Sequence, residues 1–598
     1  MSSSNNVGFE PLNLNDMSTI ALSVLIFICL FFSGRAITGP RAIQPIQAFI
    51  GLLTVYLFFI INSALFTGFL VIYALIFLLF LTCVGLWKCR KYLLSDSFML
   101  ASSIIFIAPL LWLAVVKNNP LWDDYTHWLP SAQYLLKNGH LPTLQEPVIN
   151  HATPAYPYSR ALLHTFVNLG TDKFMMNVQG LFNILFASSL LLWVGPFLTI
   201  KNNNLANKFI TTLSVMGILS FLLIIWTITL NSRLIISSYG DPIYAISLAH
   251  LFLFLFISSD GRKSISNGNF NWILAGLIAV PSIIKDVGFY HSFIILISYW
   301  MIFEISNFLK KDADLKIKVK VLLIQLLHLV PMIFIKNVWA YYVKIHEIKT
   351  VFAIKPLEQS KIDLIPQILN AAEAQILGRP YVLAAIFILL FILLFSKTIR
   401  NHIPFSFFHL FLFAIMSSLG IILFHLAAYL FTFSHYEAAR AASFSRYIAP
   451  AGLIAWTSLI TALIIHRIPS NYRMIIIGSL FTVFFFSALI INANKINPAN
   501  KEDPRLKSIA EKLVKTYPEN EPLMIVDLGT NGIHAVIIRF YTNSFMPISY
   551  RASVHLDSPL NTQLLNDWFE DYKHVYLHSG SKKQLNIIKE YLASRELD

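Results

Sequence analysis

The sequence predicts an all-α polytopic membrane protein, a helical bundle of about 14 spans carrying a small C-terminal α/β soluble domain, and three observations predict it. Hydrophobic residues make up 56% of the 598 and charged residues only 13%, with a mean hydropathy of +0.64, whereas a soluble chain carries about 25% charge. Apolar stretches of about 20 residues recur along most of the chain, each long enough to cross a hydrocarbon core of about 30 Å as a helix. Stretches such as LSVLIFICLFF and ALIFLLFLTCVGLW are apolar on every face. That excludes a spanning β-barrel, whose strands alternate apolar and polar residues.

In chain order the spans fall near 18–34, 44–63, 64–87, 96–116, 178–199, 209–230, 242–258, 272–285, 288–306, 321–335, 380–396, 405–433, 447–465 and 474–493. The stretch 405–433 is long enough to contain a break or an interfacial helix. The first run lacks a basic leader and a small-residue cleavage site, so it reads as a retained span. Alternate connections carry Arg35 and Arg41; Lys88, Arg90 and Lys91; Lys201 and Lys208; Arg262 and Lys263; Lys310 to Lys320; Lys397 and Arg400; and Arg467 and Arg473. The N-terminal MSSSNNVGFEPLNLNDM has neither Lys nor Arg. The positive-inside rule then puts both termini, the loops 117–177 and 336–379, and the tail on the non-cytoplasmic side. Composition rich in Ile, Phe, Asn and Lys suggests an AT-rich bacterial genome, and for a bacterium the expected location is the inner (cytoplasmic) membrane.

The net charge of +14 sits mainly between the spans, where it meets anionic lipid headgroups. No basic run interleaves with aromatics in a polar segment, which argues against nucleic acid. Cys29, Cys83 and Cys89 all lie in or beside the first spans, so they offer no disulfide framework and no clustered metal site. Three units are expected: an N-terminal three-span module over 1–92, a membrane domain over 93–493, and an α/β domain over 494–598. In the last, RLKSIAEKLVKTY and KKQLNIIKEYLAS have helical periodicity, and PLMIVDLGT and HVYLHSG read as strands. DLGTNG reads as a plain turn, because a phosphate loop needs a fuller glycine fingerprint.

In so apolar a chain the informative residues are ionisable groups at span ends, where they are costly unless they serve a site. Four clusters stand out, all on the predicted outer side. NNPLWDDYTHWLPSAQYLLKNGHLP, 118–142, places Asp123, Asp124 and His127 between Trp122 and Trp128. On an α-helix Asp123 and His127 share a face, which suits a carboxylate base or a pair holding a divalent cation; the plainer reading is an interfacial helix anchored by Trp and capped by Asp. The loop continues through HATPAYPYSRALLH, 151–164, with His151 and Tyr156. SSYGDPIYA, 237–245, sets Asp241 at a span mouth, where a lone Asp is more often a cap. PSIIKDVGFYH, 281–291, sets Lys285, Asp286 and His291 between two apolar runs. Lys285 there either binds a lipid phosphate or forms a salt bridge with Asp286 or a neighbouring helix. HYEAARAASFSRYIAP, 435–450, supplies Arg440 and Arg446, whose forks match phosphate oxygens or snorkel to headgroups.

Taken in order, WDDYTHWLPSAQYLLKNGHLP with HATPAYP, then GDPIYA, IKDVGF and SRYIAP, resemble the motifs of the GT-C superfamily of membrane glycosyltransferases, which includes the protein O-mannosyltransferases and the aminoarabinose transferases of lipid A. The resemblance covers about 120–450. It implies a GT-C-like bundle, a polyprenyl-phosphate-sugar donor, a glycan, lipid or protein acceptor, and inverting transfer on the non-cytoplasmic face. It also implies Asp123 as catalytic base, Asp124 assisting or binding a cation, and Lys285 and Arg446 on the donor phosphate. Arg440 joins them as a phosphate candidate by its chemistry. His127, His151, Tyr156, Asp241 and Asp286 are the candidates for meeting the acceptor or ordering the loops. The family commonly opens its acidic loop after the first span, whereas here three spans precede the motif span. Metal dependence varies across the superfamily, so a divalent cation stays open.

Three rivals predict different features. A transporter or flippase of a lipid-linked saccharide would carry charges near mid-span and an internal repeat. A scaffold that binds envelope proteins through its tail would be indifferent to Asp123. An oligosaccharide ligase would place Arg and His in a large late loop rather than an early Asp pair.

Overall fold

A computed structural model describes residues 14–39, 44–66, 68–116, 120–121, 123–148, 151, 153–193, 232–260, 271–304, 315–350, 356–377, 385–390, 405–465, 504–517, 521–530, 532–542, 548–551, 562–570 and 572–595. Among these residues the fold is mostly helical, with one small sheet. Among the described residues six helices are long and apolar enough to cross a membrane: Leu14–Thr38, Gln47–Leu65, Leu70–Cys89, Asp241–Ser258, Lys318–Ile345 and Phe408–Phe431. They mark the chain as a membrane protein. Leu79, Phe80, Trp87 and Leu423 are exposed on these helices, as side chains facing lipid tails would be.

The expected spans at 209–230 and 474–493, and most of 380–396, lie outside the described residues. Two details differ from expectation. The stretch 405–433 holds one unbroken helix, Phe405–Phe431. The span placed at 321–335 does not end there: the helix Val330–Ile345 runs on, because Trp339, Tyr342 and Val343 continue its buried face. The start of the expected loop 336–379 is therefore helical, and the loop carries a further helix at Ile365–Leu377.

One apolar core runs from Ile26 and Phe49 in the first helices to Leu453 and Leu459 in the last described helix of the bundle, so the N-terminal helices pack into the same core as the remainder. Around it, helices stop where sequence makes them stop. Trp272–Ile284 begins on the Asn271 side chain, which accepts from the backbone N–H groups of Ile273 and Leu274, and ends at Lys285 in extended conformation. The chain re-enters a helix at Gly288, where a Cβ would lie 2.1 Å from the Pro281 carbonyl oxygen. Only glycine fits that close approach.

The tail folds as expected in type, and more fully than the sequence indicates. Parallel strands β1 (Leu523–Asp527), β2 (Ile548–Arg551) and β3 (His574–Ser579) order as β2-β1-β3. The predicted helices are Pro504–Thr516 and Lys582–Ser594; Ile533–Thr542 and Thr562–Phe569 join them as crossovers. The DLGTNG turn is closed by its own Asp527, which is buried and accepts from the backbone N–H groups of Thr530, His534 and Ala535. A carboxylate already fills the start of that helix, as the plain-turn reading requires.

Candidate functional site

The acidic loop, the Asp241 helix, the Lys285 junction and the Arg446 turn meet at one end of the bundle. Asp123 Oδ2 accepts from Arg446 Nη1 at 2.7 Å across 323 residues of sequence. The other side of Arg446 faces Asp241, with Nε 3.6 Å from Oδ2. Asp241 Oδ1 accepts from Lys285 Nζ at 2.7 Å, with both side chains under a tenth exposed. Four residues from four separate motifs thus form one alternating chain of charge, Asp123–Arg446–Asp241–Lys285. Tyr239 and Tyr447 flank the Arg446 guanidinium at 5.0 and 5.2 Å, and Tyr447 also lies 5.0 Å from the Lys285 ammonium.

The local backbone explains how these groups are aimed. Asp123 precedes a π-helical turn, Asp124–Trp128, rather than an α-helical one, so the expected α-helical face shared by Asp123 and His127 does not form. His127 instead bonds Thr126 Oγ1 through Nδ1 at 2.5 Å, and burial lowers its pKa. Asp124 turns inward and is fully buried, with Oδ2 accepting from the Leu121 N–H at 2.7 Å. Arg160 lies on the same buried side, donating to the Ser238 carbonyl and stacking 4.7 Å from Trp128. Gly240 leaves room for it: a Cβ there would sit 2.7 Å from Arg160 Nη1. His151 receives the Thr153 N–H at Nδ1, so it carries its own proton on Nε2 and donates to Ser131 Oγ at 2.6 Å. Burial holds its pKa well below the ordinary value. His151 orders the loop, and Tyr156, stacked 5.5 Å from Trp128, lines the cleft.

Burial pushes the Asp124 carboxyl up to about 8 from its ordinary 3.8. The folded loop then holds a proton that the unfolded chain releases across that window. The stabilisation is complete at the acid end and is lost as pH rises through about 8. Relative to Asp124→Asn, the wild-type melting temperature in detergent should therefore fall between about pH 5 and about pH 9. Parallel pH profiles for the two proteins would contradict a buried, protonated Asp124.

Two sequence expectations, for Arg440 and Asp241, are corrected, and one of the alternatives for Lys285 is selected. Arg440 is not part of the cluster; it is exposed, and it stacks on Tyr436 at 4.9 Å and bonds its hydroxyl. Of the salt bridges expected for Lys285, the one to a neighbouring helix forms, to Asp241, and Asp286 instead takes Lys336 at 3.0 Å. Asp241, read as a cap, is the hub of the ion network. The backbone between Arg440 and Arg446 turns sharply, with Ala441 and Ser443 at φ of 42° and 61°, a left-handed conformation that costs such residues about 1–3 kcal/mol. Gln375 holds this turn, donating to the Arg440 and Ala441 carbonyls and accepting from the Ser445 N–H. The helix Ile365–Leu377 is thus a clasp on the Arg446 turn.

Two chambers open beside the cluster. The first, about 380 Å³, is walled by Phe424, Ala427, Ala428, Phe431 and Phe433, with Lys285 and Tyr447 at its polar end. The second, about 570 Å³, is more polar and includes Trp339, Lys344 and Lys349. Tyr156, Asp286 and Lys336 line both. Among the described residues no three His, Cys, Asp or Glu side chains come together as a metal site, and the carboxylates of the cluster already face Arg446 and Lys285, so this donor set does not fit a divalent cation.

The tail domain closes the same end of the bundle. Val536 and Phe540 pack against Tyr125, Leu129 and Met176 as a separate apolar cluster, with the Phe540 ring 5.2 Å from that of Tyr125. The site residues that sequence reasoning missed are Tyr239, Arg160 and Gln375, together with His425 beside the first chamber. Lys336 stands at the start of the range expected to be the loop 336–379, with nothing in its local sequence to mark it as a partner of Asp286. A polar residue inside an apolar run was the signal for His425. Comparison of the chain with protein-family models, with curated proteins and with solved structures gives no match.

Proposed function

We propose that the protein is an integral-membrane glycosyltransferase that moves a sugar from a polyprenyl-phosphate donor to an envelope acceptor hydroxyl, with inversion, on the non-cytoplasmic face of a bacterial inner membrane. The single observation that carries this reading is the Asp123–Arg446–Asp241–Lys285 chain, whose Lys285 end lines an apolar chamber. A carboxylate about a fifth exposed stands beside two cations held in place, and hydrocarbon-lined space lies next to Lys285. A lipid-linked sugar has that order of parts.

The chemistry follows from the donor. A polyprenyl phosphate is its own leaving group, so no nucleotide is needed. Its phosphate draws Arg446 away from Asp123, which frees the carboxylate to take the proton of the acceptor hydroxyl. The hydroxyl oxygen then attacks the anomeric carbon, and the bond from that carbon to the phosphate oxygen breaks. Lys285, Arg446 and Lys336 stabilise the charge gathering on the departing phosphate. One displacement with one base inverts the anomeric configuration. Asp124, buried and largely protonated at neutral pH, holds the loop and leaves the base role to Asp123. The GT-C resemblance of the four motifs and the positive-inside asymmetry of the loops support the same reading.

Arg440 and Arg446 separate it from a merely cationic surface. Arg446→Ala should lower sugar transfer at least about 100-fold, whereas Arg440→Ala should leave it within about twofold, since an exposed arginine on one tyrosine contributes little. Envelope glycan and lipid mass spectrometry on complemented deletion strains reads both. Equal losses would refute the assignment.

The runner-up is a transporter or flippase of a lipid-linked saccharide, favoured by polar groups within the helices. Of these, His250 is satisfied by Ser189 and Trp193, and Glu304 by Tyr299. Vesicles that translocate the intact lipid-linked sugar without cleaving it would establish that alternative.

A further inference from the structure

Beside Lys285 the apolar chamber is lined by one imidazole, with a second packed behind it, and the proposed reaction uses neither. His425, on the Phe405–Phe431 helix, lines the chamber and is 5% exposed. Its ring stacks on Tyr447 with centroids 5.1 Å apart and planes at 15°, in the same stack that carries the Lys285 ammonium. His291 is fully buried behind it, ring against ring at 4.8 Å and nearly perpendicular, and its Nδ1 is bonded to the Tyr244 hydroxyl. The Nε2 atoms of both rings are buried without a hydrogen-bond partner.

An unpaired buried polar atom is costly, most of all among apolar helices, so two side by side call for a partner that arrives with a ligand. The surroundings define that partner. It reaches a chamber walled by Phe424, Phe431 and Phe433, which takes hydrocarbon. It also lies beside Lys285, which attracts an anion. Held by the Tyr244 hydroxyl at Nδ1, His291 carries its proton on Nε2 when the tyrosine donates, and so presents a donor.

We propose that His425, backed by His291, is a further donor to the phosphate of a lipid phosphate bound in this chamber, adding a neutral imidazole to the cradle of Lys285, Arg446 and Lys336. The proposal rests on the lipid-phosphate reading above and adds to it a selection for the phosphate group itself. His425 meets the ligand; His291, fixed by Tyr244, sets the imidazole pair.

The test uses the full-length protein in lipid nanodiscs, with native mass spectrometry of binding to a short-chain polyprenyl monophosphate, the corresponding neutral polyprenol, and inorganic phosphate. His425→Phe keeps the stack on Tyr447 and removes the nitrogen. It should weaken the lipid phosphate about 10-fold, equivalent to about 1.4 kcal/mol, and leave the neutral polyprenol unchanged. His425→Gln, which keeps a donor, should recover most of the loss. Unchanged lipid-phosphate affinity in His425→Phe would overturn the proposal, as would equal losses for phosphate and alcohol, which mark a purely structural role. Inorganic phosphate binding as tightly as the lipid would overturn the lipid assignment. Wild-type protein that binds no polyprenyl phosphate would instead remove the function on which the proposal rests.

Discussion

Asp123→Asn is expected to lower sugar transfer by about 10²- to 10⁴-fold, the range that a positioned general base contributes, while the protein still reaches the membrane. The amide keeps the shape and can still accept one hydrogen bond from Arg446, so the 2.7 Å contact loses its charge rather than its geometry. What disappears is the proton acceptor that the proposed reaction requires. Donor binding should survive or tighten, because Arg446 no longer has to leave a carboxylate to meet the phosphate. The decisive measurement is glycan and lipid mass spectrometry of envelopes from a strain lacking the gene, complemented with wild type or with Asp123→Asn. A sugar mass that stays missing with the variant supports the transferase; full restoration by the variant would remove Asp123 from catalysis and bring transport or scaffolding forward.

Asp241→Ala is expected to have the largest effect on stability. Its carboxylate is shared by Lys285 at 2.7 Å and Arg446 at 3.6 Å. Removing it leaves two cations facing each other in a buried site, a loss of about 3–5 kcal/mol for the broken pair. The variant should melt well below wild type in detergent, read by fluorescence-detected size exclusion after heating. Adding Lys285→Met to Asp241→Ala removes one stranded charge and should return a large part of the stability without returning transfer, because the phosphate has lost a cation. A single variant as stable as wild type would mean that the hub is solvated rather than buried.

The sequence made these residues visible for one reason: charge is expensive in an apolar chain, so Asp123, Asp241, Lys285 and Arg446 stand out wherever they occur. Which of them meet is a different question, because pairing depends on contacts between helices that local spacing does not encode. Asp286 lies next to Lys285 in the chain yet bonds Lys336, 50 residues away. Arg440 and Arg446 look equivalent in HYEAARAASFSRYIAP, and only the left-handed turn at Ala441 and Ser443 sends one outward and the other into the cluster. The inward rotation of Asp124 comes from a π-helical turn, whereas the sequence pattern suggests an α-helix. The tail strands β1 and β3 were legible from their apolar runs; β2 and its flanking helices were not, since ISYR is too short to show a period.

The packing of Phe540 and Tyr541 against the acidic loop also sets a timetable for the protein's synthesis. Tyr541 meets Met176 across 365 residues of chain, so the ribosome completes the loop long before the tail segment that covers it exists. Until the tail has been made and delivered to the same side of the membrane, Tyr125 and Leu129 present an open apolar face. The acidic loop is thus assembled early and braced last, by a final domain that packs onto the first large loop only after the whole chain has been made.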